Sequence, residues 1–494
     1  MFRPTLEEFR EKAKQGNLIP VHREILADME TPVSAFRKID DGRNAFLLES
    51  MEGGEKWARY SFLGSAPSIV IRSFGRKAEV VRNGKAESVL FTNDPLEVVR
   101  QVLSEYRPVP DASLPRFNGG AVGFLGYDVV RFFEELPDKP KEQLDIPDVF
   151  FMVTDTIVIF DNIRHMIKVV SNAHVNGGSV ESAYEEAKAK IDEIVKKLKD
   201  RVRGQGSGVR GKRPKDQQLT SNFTQAAYEQ AVLKAKEYIK AGDIFQVVPS
   251  QRFQAPITAD PFEIYRALRL INPSPYMYFL RCGDTVVAGA SPEVMVRLEG
   301  GKIDLRPIAG TRRRGASEDE DRALAAELLA DPKERAEHIM LVDLGRNDVG
   351  RVSLPGSVNV SELMVVERYS HVMHIVSNVR GDLSDGKDAY DVVRACFPAG
   401  TVTGAPKVRA MAIIDELEPT RRGPYAGAVG YFGFSGSMDT CITIRTLVIR
   451  DGTAYIQAGG GVVADSDPAA EYQETVNKAK AMMRAVEMAE EGLD

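Results

Sequence analysis

Two pairs of acids and one arginine stand out before any fold is considered. Glu334 and Glu337 lie three apart in DPKERAEHIMLVDL, where Pro332 suits a helix start, and Glu471 and Glu474 lie three apart near the start of a second helix. At that spacing both members of a pair share one helix face. Carboxylates from two such faces can hold one hard cation through oxygen, with water and ligand completing the octahedron that Mg²⁺ demands. Acids also favour first helical turns because the macrodipole is positive there, so the pattern alone leaves both readings open. Further on, the runs 441–450 and 453–463 flank Asp451-Gly452, the signature of a two-residue type I′ hairpin. That register sets Arg450 against Thr453 and Arg445 against Ala458, beside Gly459, Gly460 and Gly461. Opposed residues share a sheet face, so a guanidinium would lie next to backbone amides with no side chains in the way, which suits a carboxylate ligand. A charge on a solvated face beside a glycine bulge fits the same letters. His374, in the β-like run HVMHIVSNV, reads more readily as a satisfied core histidine than as a catalyst. GTVTGAPK at 400–407 lacks the Gly-Lys-Ser/Thr ending of a phosphate loop.

The chain around these residues has 494 positions, a net charge of −6 and three cysteines. That length predicts several domains or two large lobes, with core enough to need no disulfide or structural zinc. Cys282, Cys396 and Cys441 are far apart and fall in no CxxC pattern, so a disulfide scaffold or a zinc finger is a poor reading. No apolar run is long enough for a membrane span, and the first ten residues resemble neither a leader nor an anchor. The cytosol is the expected compartment. The mild negative charge speaks against nucleic acid as the main ligand. It also makes an anionic substrate awkward unless positive charge is gathered locally.

Residues 201–215, RVRGQGSGVRGKRPK, hold six Lys/Arg, four Gly and no acid, and read as a flexible basic linker within 201–221. Upstream, short β-rich runs at 68–72, 78–82 and 87–91, with Asn83-Gly84 as a hairpin signal, precede a strand pair at 149–160 and 163–170 and a helix at 182–202. Downstream, Thr224 caps a helix ending at Gly242, strands follow, and a long helix runs from Pro468 to about Glu490. Strands joined by hairpins predict an α+β fold: largely antiparallel sheets packed as a sandwich, helices outside, in two interleaved lobes. AVGFLGYD at 121–128 is echoed by AVGYFGFS at 428–435, which hints at an old duplication.

Taken in order, the segments GDIFQVVPSQRF (242–253), GASPEVMVRL (289–298), RPIAGTRRRG (306–315), EHIMLVDLGRND (337–348), FPAGTVTGAPK (397–407), GAVGYFGF (427–434), IQAGGGVVADS (456–466) and EYQET (471–475) resemble the chorismate-utilising enzyme family. LLES at 47–50 and RYSFLG at 59–64 resemble the N-terminal region of its anthranilate synthase branch. The resemblance implies a catalytic region over 222–494 and a regulatory region over 1–200. Relatives that add water to chorismate carry a Lys base where this chain has Gln246, and a water nucleophile needs such a proton acceptor. Aminodeoxychorismate synthases carry PIKGT, whose Lys can attack covalently, where this chain has Ala309. The two positions together point to the anthranilate-forming branch. Aminodeoxychorismate synthase component I is the nearest alternative, followed by a catalytically silent tryptophan-sensing subunit.

The resemblance further implies residue roles. Glu337 and Glu474 would ligate Mg²⁺, with Glu334 and Glu471 nearby. Gly310, Thr311, Tyr425, Arg445, Gly459, Gly460 and Gly461 would bind chorismate. Glu293 would be the general acid on the departing hydroxyl, with Gln246, His374 and Thr401 in the catalytic pocket. Glu49, Ser50, Pro275, Tyr276 and Met277 would form an L-tryptophan inhibitor pocket. None of the cysteines sits in a glutaminase-like loop, so ammonia would come from a glutamine amidotransferase subunit as partner.

Overall fold

The computed structural model describes residues 1–51, 59–82, 84–137, 141–200, 219–369 and 372–493. The basic linker lies outside these for all but its last residues, and Asn83 also lies outside them.

Two large antiparallel sheets face each other. The first runs across Phe2–Arg3, Leu18–Leu26, Met166–His174, Thr156–Asp161, Tyr60–Ser65, Asn44–Glu49, Tyr276–Cys282, Thr285–Ser291, Thr446–Arg450, Thr453–Gly459, Ser250–Pro256 and Thr220–Ser221. The second runs across Ile308–Arg313, Val372–Asp382, Lys302–Leu305, Val294–Glu299, Met438–Ile442, Ala428–Gly433, Gly120–Leu125, Val149–Thr154, Ile69–Phe74, Lys77–Arg82 and Lys85–Leu90, with Asn359–Arg368 also paired to Val372–Asp382. Both sheets draw strands from both sides of the linker. In the first the halves meet where Met277 pairs with Glu49. In the second they meet where Ala428 pairs with Leu125 and Phe432 with Ala121. The two echoed AVG segments are therefore neighbouring antiparallel strands.

The expected sandwich with outer helices is what the burial pattern builds. Side chains alternate across a strand, and Val149–Thr154 uses both faces. Phe150 and Met152 enter the layer between the sheets with Phe46, Phe124, Tyr278 and Tyr431. Val149, Phe151 and Val153 enter an outer layer covered by helices such as Leu96–Ser104 and Ala389–Cys396. Beyond the first sheet, Val180–Lys199, Pro261–Ile271 and Pro468–Glu491 close the other outer layer.

Two expected strands are corrected. The run 149–160 is not one strand but two, Val149–Thr154 in the second sheet and Thr156–Asp161 in the first, with Asp155 at the crossing. The run 441–450 splits in the same way into Met438–Ile442 in the second sheet and Thr446–Arg450 in the first. The reason is shared: strands buried on both faces read as unbroken apolar runs, and a corner inside such a run leaves the pattern intact. The hairpin turn itself is as expected, with Arg450 opposite Thr453 and left-handed φ at Asp451 (48°) and Gly452 (69°). Among the described residues no helix is long and apolar enough to cross a membrane.

Phe279 shows how tightly the halves are joined. It is fully buried, and its ring lies 5.5 Å from Phe36 and 5.1 Å from Phe262. Phe279→Ala should destabilise the fold by about 3–5 kcal/mol, whereas Phe74→Ala, at a half-exposed ring, should leave it nearly unchanged. Denaturant midpoints measured side by side check this; equal midpoints would refute the joint core.

Candidate functional site

Both acid pairs sit where helices begin. Asp331 caps Pro332–Gly350 by accepting from the Lys333 and Glu334 amides, and Asp467 caps Pro468–Glu491 through the Ala470 amide. Each helix has proline in its first turn, where the missing N–H removes no bond. Lys333 reaches from one helix start to Asp465 beside the other, at 3.0 Å. The acids come within each other's field. Burial pushes Glu337 above the ordinary carboxylate range, and the charges of Glu334 and Glu474 add to the rise against a hydrogen bond from Gln246. Burial also raises Glu471, again with Glu474 adding to it.

Their polar neighbours leave unmet capacity. Gln246 Nε2 donates to Glu337 Oε1 at 3.1 Å, while Gln246 Oε1 and Glu471 Oε2 are buried with no protein partner. Glu334 accepts from Arg312 at 2.9 Å, and Glu474 from Lys478 at 2.7 Å. A side chain at Gly460 would place Cβ only 2.8 Å from Glu471 Oε2, so the Glu471 carboxylate would have to shift to admit one. Among the described residues no three acid, histidine or thiol groups converge enough to hold a metal unaided. Raised, mutually repelling carboxylates with an orphaned oxygen fit a hard cation that takes its remaining ligands from water or substrate.

Glu293 follows Thr285–Ser291 and is half-buried. Its Oε2 accepts from Thr401 Oγ1 at 2.8 Å. Burial raises its pKa, opposed by that bond and by the charges of Arg445 and Lys478. Thr401 lies on the short turn Gly400–Val402, which approaches Pro332–Gly350 so closely that a Cβ at Gly400 would meet Leu344 at 2.2 Å.

Arg445 is not paired with Ala458 as the uninterrupted hairpin would require. It sits at the corner where the chain passes between sheets, with φ 49°, and its carbonyl accepts from the Ala290 amide at 3.1 Å. That corner places it on one cleft with His374, Glu474 and Lys478. His374 Nδ1 lies 3.0 Å from the Gly310 carbonyl and 3.0 Å from Thr311 Oγ1. A carbonyl only accepts, so Nδ1 carries the proton and Nε2 is the basic nitrogen. Gly310, at φ 67°, forms the bulge between Ala309 and Thr311 that allows this contact. Tyr425 is buried, its hydroxyl pushed up to about 12 by burial and bonded by the Gly459 amide. The Gly460 amide donates to the Pro249 carbonyl at 3.3 Å. Two of the three glycine amides are thus occupied within the protein, and the expected amide nest is smaller than the sequence suggested.

Sequence reasoning missed Lys478. It bridges Glu474 and, at 2.8 Å, the Gly459 carbonyl, so it ties the acid helix to the glycine run. Its signal was available: it lies one turn beyond Glu474 on the same face.

Glu49, Ser50, Pro275, Tyr276 and Met277 come together around a separate cavity between the sheets. Its polar end was also missed. Tyr276 donates to Asp439 at 2.9 Å, and Asp439 is held by Arg297 at 2.8 Å and Arg116 at 2.9 Å. The buried Glu49 carboxylate is itself engaged by Tyr265 at 2.7 Å and Arg269 at 2.9 Å.

Comparison with known proteins adds to this geometry. Residues 44–484 match the model of the chorismate binding enzyme family. Anthranilate synthase component 1 of Aquifex aeolicus is 52% identical, over 99% of this chain and 98% of that protein. The protein of the same name from Acetivibrio thermocellus is 50% identical, over 99% of this chain and all of its own. A crystal structure of anthranilate synthase component I from Streptococcus pneumoniae is 37% identical and superposes with a TM-score of 0.76, covering 93% of this chain and 99% of that one. By this match of sequence and fold, the chain belongs to the chorismate-binding enzyme family, within its anthranilate synthase component 1 branch.

Proposed function

We propose that the chain aminates chorismate with ammonia and releases pyruvate to give anthranilate, that it needs Mg²⁺, and that L-tryptophan inhibits it. The observation that carries this reading is Glu293, a carboxylic acid raised by burial, bonded by Thr401 and lying within the field of Arg445, whose cleft also holds Glu474.

Glu337 and Glu474 would hold the cation, with Glu334 and Glu471 beside them. When bound, Mg²⁺ supplies the local positive charge that a net charge of −6 denies the chain as a whole. Arg445 meets the other carboxylate of the dianionic substrate, and Tyr425, Gly310, Thr311 and the 459–461 run enclose the ring. Ammonia bonds to the ring while the ring hydroxyl leaves as water with the proton of Glu293. The ring then loses a proton, the enolpyruvyl C–O bond to the ring breaks, and pyruvate departs as that fragment takes up a proton. His374, whose Nδ1 proton is held by the Gly310 carbonyl, is placed beside the cleft for proton handling in this second stage. Chorismate and ammonia become anthranilate, pyruvate and water. Positioning and preorganised charge account for most of the acceleration.

Gln246 and Ala309 favour ammonia as the nucleophile: one offers no base for water and the other no covalent attack. The ammonia source is a glutamine amidotransferase subunit. All three cysteines are buried and unbridged, and burial pushes each thiol up, which suits no glutaminase nucleophile. For regulation, Tyr276 and Met277 can flank an indole while Ser50 and Glu49 meet an ammonium.

Three outcomes are expected. With chorismate, Mg²⁺ and ammonium salts, the chain alone should yield fluorescent anthranilate and pyruvate, lose activity on chelation and regain it with Mg²⁺; a product that keeps the enolpyruvyl group would contradict the reading. At constant free ammonia the rate should fall as pH rises through the Glu293 pKa, because the protonated acid is the active form. Thr401→Val, by removing a bond that favours the ionised form, should shift that limb to higher pH, and a shift the other way would count against Glu293. Ser50→Phe should keep activity and abolish tryptophan inhibition; unchanged inhibition sinks the cavity assignment.

A further inference from the structure

We infer that Arg422 and Glu418, a buried pair outside the reacting cleft, are positioning residues for the amination. This rests on the functional reading above. Both side chains are almost wholly enclosed, Arg422 at 3% and Glu418 at 4% exposure. They lie four residues apart, just beyond the helix Lys407–Leu417, and Arg422 grips the carboxylate through Nε at 2.9 Å and Nη2 at 2.6 Å. A buried charge pair rarely stabilises a fold by itself, since removing both charges from water offsets their attraction. Its other contacts give a reason for it.

Each contact ends on a segment that carries a site residue. Arg422 Nη1 donates to the Val402 carbonyl at 2.8 Å, immediately after Thr401. Its Nη2 donates to the Val248 carbonyl at 2.7 Å, two residues from Gln246. The guanidinium also stacks on Tyr425, 5.5 Å from the ring centre, and on Tyr127 at 4.6 Å. Glu418 Oε1 accepts from both the amide and the hydroxyl of Ser250, each at 2.8 Å. Ser250 Oγ in turn accepts from Gln457 at 2.8 Å, on the strand that ends in the glycine run. Ser250 also pairs directly with Gly459.

One rigid fork therefore sets the relative positions of four segments far apart in sequence: the acid's partner Thr401, Gln246, Tyr425 and the 459–461 run. Lysine carries the same charge but as a single point, and cannot hold two carbonyls and a carboxylate in one plane. The pair touches none of the reacting atoms. Its effect passes through the geometry of those that do, where misplacement of about 1 Å can lower a rate about 100-fold.

The test compares wild type with Arg422→Lys, Glu418→Gln and Ser250→Ala, using ammonium, chorismate and Mg²⁺, with the folded fraction fixed by circular dichroism and melting. Per folded molecule, Arg422→Lys and Glu418→Gln should lose about 30–100-fold in kcat while the chorismate KM moves by less than about threefold. Ser250→Ala leaves the ion pair in place, so it should stay folded with a modestly lowered melting temperature yet lose about 3–10-fold in kcat per folded molecule. If the two charge variants do not fold, Ser250→Ala decides. A purely structural pair would lower the melting temperature and leave kcat of the folded enzyme unchanged, and that result overturns the inference. Idle wild-type enzyme overturns the functional reading and this inference with it; active wild type beside fully active, folded variants overturns this inference alone.

Discussion

Crowded negative charge is the constraint on which the site depends. Glu337 and Glu471 are raised by burial, and Glu334 and Glu474 press on them from the same two helix starts. Left alone, such a group is unfavourable, because like charges in a desolvated cleft disfavour ionisation. The surroundings relieve it only in part. Helix N-termini lend positive potential, Arg312 and Lys478 each pair with one acid, and Gln246 donates to another. The orphaned Glu471 oxygen is what remains, and it lies close against the bare backbone of Gly460.

The cleft and the cavity between the sheets share a backbone. Tyr276 pairs with Ser291, two residues before Glu293, and the Ala290 amide donates to the Arg445 carbonyl. Tyr278 reaches Thr446, the neighbour of Arg445, at 2.6 Å. The strand Tyr276–Cys282, which lines the cavity, is thus bonded to the two segments that lead to Glu293 and Arg445. A ligand that shifted this strand at one site would bias the other, and such coupling would be reciprocal. The LLES strand of the N-terminal region is hydrogen-bonded into the same sheet, directly against Tyr276–Cys282.

Local pattern made much of this readable. Thr224 caps a helix where expected, the last helix begins at Pro468 as expected, the two acid pairs begin helices, and Asp451-Gly452 makes the expected turn. What the pattern could not carry was the choice of sheet. The runs 149–160 and 441–450 are largely apolar because both sheets are buried on both faces, so Asp155 and Arg445 read as isolated polar positions within a strand rather than as corners. Long-range partners were equally hidden. Glu293 and Thr401 meet across a separation of 108 residues, and Asp439 meets Arg297 and Arg116 across 142 and 323. The first pair was reachable only through family resemblance; the second was not reached. Arg422 was missed because, apart from Glu418 four residues earlier, its hydrogen-bond partners are backbone carbonyls distant in sequence, which every residue possesses.

The central claim is that the acid cluster and a substrate carboxylate hold one cation together, neither sufficing alone. Calorimetric titration of chorismate into ammonia-free protein, where amination cannot proceed, tests it directly. The account predicts that saturating Mg²⁺ tightens chorismate binding by about tenfold or more, that chorismate tightens Mg²⁺ by the same factor, and that Glu337→Gln abolishes both effects. Chorismate affinity that is identical with and without Mg²⁺ would contradict it.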